Sequence, residues 1–231
     1  MLRMEGVTVA IAGVQVLRSV SLGLTSGKTT ILIGRNGAGK TTTLRAIMGL
    51  LPVEAGAVRL GDQEIGATPA YQRAGQGIGY APEDRRHVPE FTVEDNILLP
   101  ALALSLPAVE RSRRLDEVYA LLPQLHTMRK RPGGGVSGGQ GKMVALGRAL
   151  MVARTALLLD EPFQGLAPVL ANRYAAALRA LRDSHPDIAL LITESNPSLL
   201  RNFAGRAYAI ERGEVSETQL AESSLAAAGL H

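Results

Sequence analysis

One glycine-rich segment constrains the fold of this chain more than any other part of its 231 residues. Residues 34–41 read Gly-Arg-Asn-Gly-Ala-Gly-Lys-Thr and fill every fixed position of the pattern G-x-x-x-x-G-K-S/T. Residues 30–33 before them are apolar and β-branched, which is typical of a buried strand. A strand, this loop and a helix over residues 39–49 would together bind phosphate. A plain glycine-rich turn before a helix is the alternative.

The residue types in this segment, here called the phosphate loop, explain how it would hold a nucleotide. Glycines let backbone N–H groups curl around phosphate oxygens, a conformation that a Cβ obstructs. We expect Lys40 to reach the β- and γ-phosphates and Thr41 to place its hydroxyl on Mg²⁺. The residues predicted to bind the nucleotide here are Gly34, Arg35, Asn36, Gly37, Ala38, Gly39, Lys40, Thr41 and Thr42.

A second segment, residues 156–162, is an apolar run followed by two adjacent carboxylates, Asp160 and Glu161, and a proline. Continuous apolar character predicts a parallel strand buried on both faces, and ligands bind at the carboxyl ends of such strands. Asp160 is therefore a predicted Mg²⁺ ligand, and Glu161 is predicted to polarise the attacking water. The alternative is a charged boundary between a strand and a loop.

Composition excludes several classes of site. The chain has no cysteine, so oxygen ligands and phosphate must hold any metal ion. The net charge is +4, but the basic residues are scattered among acidic ones, and the chain has no tryptophan to stack on bases. Both features disfavour nucleic-acid binding. The most apolar stretch, residues 97–109, is too short to span a bilayer and contains two prolines. The first residues lack the pattern of a signal peptide, so we expect a cytosolic chain.

A third motif, Val136 followed by Ser137, Gly138, Gly139 and Gln140, resembles the signature sequence of ABC ATPases. Ser137 is a good helix N-cap, and a helix start presents free N–H groups and a positive dipole end to an anion. The phosphate loop already binds phosphate, so the resemblance implies that these four residues contact ATP held by another subunit. A two-fold dimer would then contain two equivalent sites. The implied cofactors are ATP and Mg²⁺.

The resemblance covers residues 7–215 and implies an ATP hydrolase with an α/β fold of the P-loop NTPase type. It implies a mainly parallel sheet, an antiparallel β subdomain and an inserted helical subdomain. The expected division is one cassette over residues 1–231, with the core at 1–86 and 150–231 and the helical subdomain, with the signature, at 87–149. Local patterns predict strands near 30–33, 157–160, 188–193 and 206–210, a helix over 168–184 and a hairpin turn at 211–214.

Within the family, the chain is most similar to ATP-binding subunits of branched-chain amino-acid importers. Residues 77–86, 91–96 and 160–168 carry this narrower resemblance. Glu83 stands where most ABC ATPases have glutamine, and the resemblance implies a catalytic and metal-binding role for it. The expected partners are a second ATP-binding subunit, identical or different, a transmembrane permease and, indirectly, a solute-binding protein. Such a subunit would lie at the inner face of the cell membrane.

Two positions depart from the family pattern. Ser195 occupies the switch position, where the family has histidine or glutamine, so contact with the γ-phosphate would be weaker and hydrolysis slower. Ile11 replaces the aromatic residue that stacks on adenine and offers apolar contact only. Because of these departures, a weakly hydrolysing regulatory subunit is an alternative function for this chain. A non-transport ABC ATPase is a further alternative.

Permease docking is expected along residues 83–107, between core and helical subdomain. The apolar segment 97–102 motivates this prediction, although its residues also fit an ordinary core.

Overall fold

Two sheets of different kinds organise the chain. The computed structural model describes residues 1–84, 87–200, 203 and 205–219, with Pro197 and Leu199 described by their backbone alone. The first sheet is antiparallel, in the order β2-β1-β4-β5, and contains β1 (Leu2–Ile11), β2 (Val14–Leu24), β4 (Ala55–Leu60) and β5 (Gln63–Glu64). The second contains β3 (Thr29–Ile33), β6 (Ile78–Ala81), β7 (Ala156–Asp160), β8 (Ala189–Glu194), β9 (Arg206–Glu211) and β10 (Glu214–Thr218).

The second sheet has the order β10-β9-β3-β8-β7-β6, and all its pairings are parallel except that of β10 with β9. The helices are α1 (Lys40–Ile47), α2 (Ala70–Gly75), α3 (Val93–Ala103), α4 (Ala108–Leu121), α5 (Pro123–Thr127), α6 (Gly138–Leu150) and α7 (Pro168–Ser184). Two 3₁₀ segments, Gly133–Gly135 and Pro197–Leu200, complete the described elements.

Apolar cores cover both faces of the second sheet. Successive strand residues point to opposite faces, so Leu157 and Leu159 pack in one core while Leu158 packs in the other. Helices α3, α4, α6 and α7 cover the first face, and α1 with the antiparallel sheet covers the second. Every residue of β7 and β8 is buried, which explains their continuous apolar sequences.

The order of the central strands sets the position of the site. β8 lies between β3 and β7, and its register pairs Glu194 with Ile33 and Thr193 with Asp160. The three strands therefore end at the same level, and the segments that follow them meet at one edge of the sheet.

The helices between β6 and β7 pack as a separate layer on the sheet. Side-chain capping boxes start α3 at Thr92 and Asp95 and α6 at Ser137 and Gln140. A Cβ at Gly147 would lie 3.0 Å from Leu125 Cδ1, so this glycine permits α6 to pack tightly against its neighbours. The division at residues 87 and 149 remains a prediction.

Most of the predicted elements are confirmed, with ends shifted by one or two residues. The four predicted strands correspond to β3, β7, β8 and β9, the helix over 168–184 is α7, and the hairpin turn at 211–214 joins β9 to β10. The sequence reasoning missed β4, β5, α2 and β6. Arg85 and Arg86 of the segment 77–86 lie outside the described residues. In the described part of the chain, no helix is both long and apolar enough to cross a membrane.

Candidate functional site

The phosphate loop folds tightly around its own lysine. Lys40 Nζ donates hydrogen bonds to the carbonyl oxygens of Gly34 at 2.6 Å and Arg35 at 3.1 Å. Gly39 adopts a φ of 117°, and a Cβ there would lie 2.9 Å from Leu17 Cδ2, so only glycine fits. Gly39 is also the N-cap of α1, and no side chain in the described part of the chain caps this helix. The first N–H groups of α1 are thus available to an anion.

The loop also forms a buried ion pair with the segment after β7. Lys40 Nζ lies 2.9 Å from Glu161 Oε1, and the exposed fractions of the two side chains are 4% and 6%. Removing two charges from water is costly unless each finds partners, and here the lysine contacts two carbonyls and one carboxylate. A phosphate group would compete with these partners for the same ammonium group.

Asp160 at the end of β7 gathers three hydroxyl groups. Its Oδ1 accepts hydrogen bonds from Thr41 Oγ1 at 3.1 Å and Thr193 Oγ1 at 2.9 Å, and Oδ2 accepts from the Tyr80 hydroxyl at 3.3 Å. Burial raises the pKa of Asp160, and these hydrogen bonds oppose the rise. Burial likewise raises the pKa of Tyr80, so this phenol stays a donor.

The donor chemistry around Asp160 fits Mg²⁺. A carboxylate and the Thr41 hydroxyl, which lie 3.1 Å apart, are hard oxygen ligands of the kind that this ion prefers. The remaining ligands would come from phosphate and water, because Mg²⁺ keeps several waters and is usually bound through one or two carboxylates together with phosphates. No group of three His, Cys, Asp or Glu residues suited to a metal ion occurs among the described residues.

Glu161 is held in an unusual backbone conformation. Its φ is 45°, in the left-handed region that residues with a Cβ seldom adopt. The Glu161 N–H donates to Thr193, with both the carbonyl oxygen and Oγ1 at 3.1 Å. The carboxylate accepts from Ser195 Oγ at 3.1 Å through Oε2 while Oε1 pairs with Lys40. The Glu161 side chain therefore points toward the phosphate loop.

Glu194 is a buried carboxylate that sequence reasoning did not identify. Its Oε1 accepts a 2.8 Å hydrogen bond from the Phe163 N–H, and Oε2 has no hydrogen-bond partner within the described structure. Burial is the main cause that raises the pKa of Glu194 to about 7, and the negative charge of Glu161 adds to the shift. The Phe163 hydrogen bond and the positive charges of Lys142 and Lys40 oppose it.

The signature residues lie apart from the phosphate loop. Ser137 Oγ accepts from the Gln140 N–H at 3.3 Å, and Gln140 Oε1 accepts from the Ser137 N–H at 2.9 Å, which completes the capping box of α6. Ser137 and Gly138 are exposed, while a Cβ at Gly139 would lie 2.5 Å from Leu170 Cδ1. None of the described hydrogen bonds joins residues 137–140 to residues 34–42.

Two further predicted site residues stand away from this cluster. Ile11 is 42% exposed beside the turn between β1 and β2. Glu83 is exposed in the turn that follows β6, and no described contact links it to Asp160 or Thr41. Its role as a ligand or catalyst stays a prediction. The tip of the phosphate loop is exposed at Arg35, Asn36 and Gly37, whereas Ala38 and Thr42 are half-buried.

Four residues close to the site were missed by sequence reasoning. Thr193 and Glu194 end an apolar strand as Asp160 and Glu161 do, and that parallel could have revealed them. Tyr80 and Lys142 carry no comparable local signal. They were missed because their contacts with Asp160 and Glu161 depend on packing between distant segments.

A cleft of about 340 Å³ opens between the sheet core and the helices that follow β6. It is lined mainly by apolar residues with two arginines, namely Arg45, Met48, Leu50, Ala70, Tyr71, Ala74, Ile78, Tyr80, Pro82, Pro100, Ala145, Arg148, Ala149 and Val152. Among the described residues of the predicted docking region 83–107, Pro100 alone lines it. Ile97 and Ala101 are fully buried, so these two residues belong to the protein core and are not available to a permease.

Comparisons with known proteins agree with this geometry. Residues 17–164 match the family model described as ABC transporter. The chain is 35% identical over 200 residues to the lipopolysaccharide export system ATP-binding protein LptB of Acidithiobacillus ferridurans, covering 87% of this chain and 82% of that protein. It is 32% identical over 215 residues to the high-affinity branched-chain amino acid transport ATP-binding protein BraG of Pseudomonas aeruginosa, covering 93% and 91%.

The fold is also similar to solved structures. The dimeric structure of a post-hydrolysis state of the ATP-binding cassette MJ0796, bound to ADP and Pi, aligns with a TM-score of 0.84 at 22% identity. The alignment covers 96% of this chain and 99% of that one.

Glu194 should make the stability of the protein depend on pH. Its pKa is raised from 4.5 to about 7 on folding, so between these values the folded state keeps a proton that the unfolded state releases. The free energy of unfolding should therefore fall as pH rises through this window and level off above it. At about 1.4 kcal/mol per pKa unit, the loss is of order 3 kcal/mol.

Urea unfolding at pH 5 and pH 8 tests this expectation. Glu194→Gln should lose less stability than the wild type between these two pH values, while the exposed Glu90→Gln should behave like the wild type. Parallel changes in the wild type and Glu194→Gln would show that this carboxyl does not titrate in the window.

Proposed function

Because this chain belongs to the ABC transporter family as an ATP-binding and ATP-hydrolysing subunit, we propose that two such subunits close around ATP and so drive a permease. The observation that carries the proposal is the meeting of Lys40, Asp160 and Glu161 at one edge of the sheet. When ATP binds, its phosphates would replace the Glu161 carboxylate as the partner of the Lys40 ammonium group.

The residues at the sheet edge have complementary roles in the proposed reaction. The phosphate loop and the start of α1 bind the phosphates, and Lys40 balances their charge. Thr41 and Asp160, with Glu83 as a further proposed ligand, would hold Mg²⁺, which would neutralise developing negative charge on the phosphates. Glu161, once released from Lys40, accepts a hydrogen bond from the attacking water and orients it.

The exposed signature supports a dimer. Ser137 and Gly138 face solvent at the start of α6, where an anion would meet a positive helix end. Residues 137–140 of one subunit would complete the ATP site of the other, so one copy alone holds half of each site. The description of the MJ0796 cassette as dimeric is consistent with this proposal. The second subunit can be identical or a different cassette.

The cleft beside β6 is the proposed permease contact. It lies between the sheet core and the helical layer, and Tyr71 and Leu50 on its rim are exposed. An amphipathic helix from a permease would bury these apolar residues. The subunit would thereby sit at the inner face of the membrane, with the core and helical subdomain divided at residues 87 and 149 moving relative to each other.

The proposed cargo is a branched-chain amino acid or a related small polar solute, taken up through the permease from a solute-binding protein. The similarity to BraG supports this assignment. The similarity to LptB favours a second candidate, which is export of a lipopolysaccharide-type lipid. Ser195, with its bond to Glu161, favours a slowly hydrolysing regulatory subunit as a third.

The variant Glu161→Gln should bind ATP without hydrolysing it at the normal rate. We expect hydrolysis to fall by about 10²-fold or more, because an amide is a poor base, and ATP should drive the variant into a stable dimer. Phosphate release measures the hydrolysis rate, and size-exclusion chromatography with light scattering, with and without ATP, measures dimer formation. Glu90→Gln is the matched control. A variant that binds ATP and stays monomeric would refute the shared site.

Ser195→His should hydrolyse ATP faster than the wild type. An imidazole is longer than a hydroxymethyl group and can donate a hydrogen bond to a phosphate oxygen that serine does not reach. Steady-state phosphate release from wild type, Ser195→His and Ser195→Ala gives the comparison. An unchanged rate in Ser195→His would contradict the proposal that serine at this position slows hydrolysis.

Transport itself separates the two cargo candidates. Deleting the gene in its source organism should lower uptake of radiolabelled leucine, and expression of the wild type, but not Glu161→Gln, should restore it. Normal leucine uptake together with loss of surface lipopolysaccharide would instead support the export candidate.

A further inference from the structure

The turn that carries Glu161 requires support from outside itself. A left-handed backbone is strained for a residue with a Cβ, and Glu161 adopts this conformation with a φ of 45°. Within the turn, only a 3.3 Å hydrogen bond from the Gln164 N–H reaches the Glu161 carbonyl oxygen among the described contacts. Such a conformation persists when neighbouring elements hold it in place.

One of these supports comes from the signature helix. Lys142 lies on α6, five residues after Ser137, and its Nζ donates a hydrogen bond to the Glu161 carbonyl oxygen. An ammonium donor makes this a charge-assisted bond, which is stronger than one between neutral groups. The bond thus joins the helical layer directly to the backbone of Glu161.

The other support comes from β8. Glu194 Oε1 accepts the Phe163 N–H at 2.8 Å, two residues beyond Glu161. At the start of the turn, the Glu161 N–H is held by Thr193. Lys142 on α6 and Glu194 on β8 therefore hydrogen-bond to the backbone on two sides of the turn, at the Glu161 carbonyl oxygen and the Phe163 N–H.

We propose that Lys142 and Glu194 are positioning residues for ATP hydrolysis, which hold the turn after β7 so that the Glu161 carboxylate faces Lys40. The described contacts of both residues with this turn are to its backbone, so they act through Glu161. Because Lys142 and Ser137 share α6, a displacement of the signature helix is transmitted to Glu161 of the same subunit. The proposal rests on the proposed role of Glu161 in hydrolysis.

The first test compares Lys142→Met with Lys142→Arg. Methionine keeps most of the side-chain volume but has no donor, whereas arginine keeps the positive charge and the donor. Misplacing a catalytic group can cost up to about 10²-fold in rate, so we expect kcat for ATP to fall about tenfold in Lys142→Met. The KM for ATP should stay within about twofold, because Lys40 and the phosphate loop are untouched, and Lys142→Arg should recover most of the kcat.

The exposed Lys28→Met is the matched control for charge removal and should behave like the wild type. A wild-type kcat in Lys142→Met overturns the positioning role. So does a Lys142→Arg variant as slow as Lys142→Met, or a loss of kcat matched by an equal rise in KM.

The second test addresses Glu194. Glu194→Gln keeps an oxygen that can accept the Phe163 N–H and should retain kcat within about twofold, whereas Glu194→Met lacks it and should be slowed about as much as Lys142→Met. Combining Lys142→Met with Glu194→Met should cost less than the product of the two single effects, since both act on one turn. Strictly multiplicative effects would overturn the shared role.

Failure of the proposal can be told apart from failure of the underlying mechanism. If Glu161→Gln hydrolyses ATP at the wild-type rate, the proposed role of Glu161 is wrong. If Glu161→Gln is inactive while Lys142→Met and Glu194→Met are normal, only the positioning roles are wrong. Should Glu194→Met fail to fold, the comparison of Lys142→Met with Lys142→Arg still decides for Lys142.

Discussion

The parallel pairing of β8 with both β3 and β7 is the constraint on which the site depends. It brings three strand ends to one level, so the phosphate loop, the pair Thr193 and Glu194, and the pair Asp160 and Glu161 meet although they are far apart in sequence. β7 and β8 are buried along their whole length, so a slip in register would move the polar residues at the strand ends, Asp160 and Glu194, away from their partners or into the apolar cores.

Among the described residues at this edge of the sheet, carboxyl groups outnumber ammonium groups. Those of Asp160, Glu161 and Glu194 are buried, and the nearby ammonium groups are those of Lys40 and Lys142. Burial disfavours the ionised forms, which is why the pKa values of Asp160 and Glu194 rise. A divalent cation at Asp160 would offset this excess of negative charge as phosphates arrive, and the proton on Glu194 removes part of it near neutral pH.

Binding and hydrolysis make different demands on the same elements. The phosphate loop and Lys40 join the end of β3 to the start of α1, whereas the placement of Glu161 depends on a left-handed turn with contacts to α6 and β8. The signature lies at the start of that same α6 and faces solvent. A subunit that meets its partner through the signature would therefore have a short physical connection to the turn that carries its own Glu161.

The sequence by itself determined the family, the phosphate loop, the strand that ends in Asp160 just before Glu161, and the helix N-cap at Ser137, because each depends on adjacent residues and local backbone chemistry. It did not reveal the contacts of Tyr80, Thr193, Lys142 and Glu194 with the site. Nor did it indicate that Lys40 pairs with Glu161 or that few residues of 83–107 line the cleft. Only the tertiary structure decided these features, since strand order and helix packing bring together side chains whose separation in sequence carries no signal.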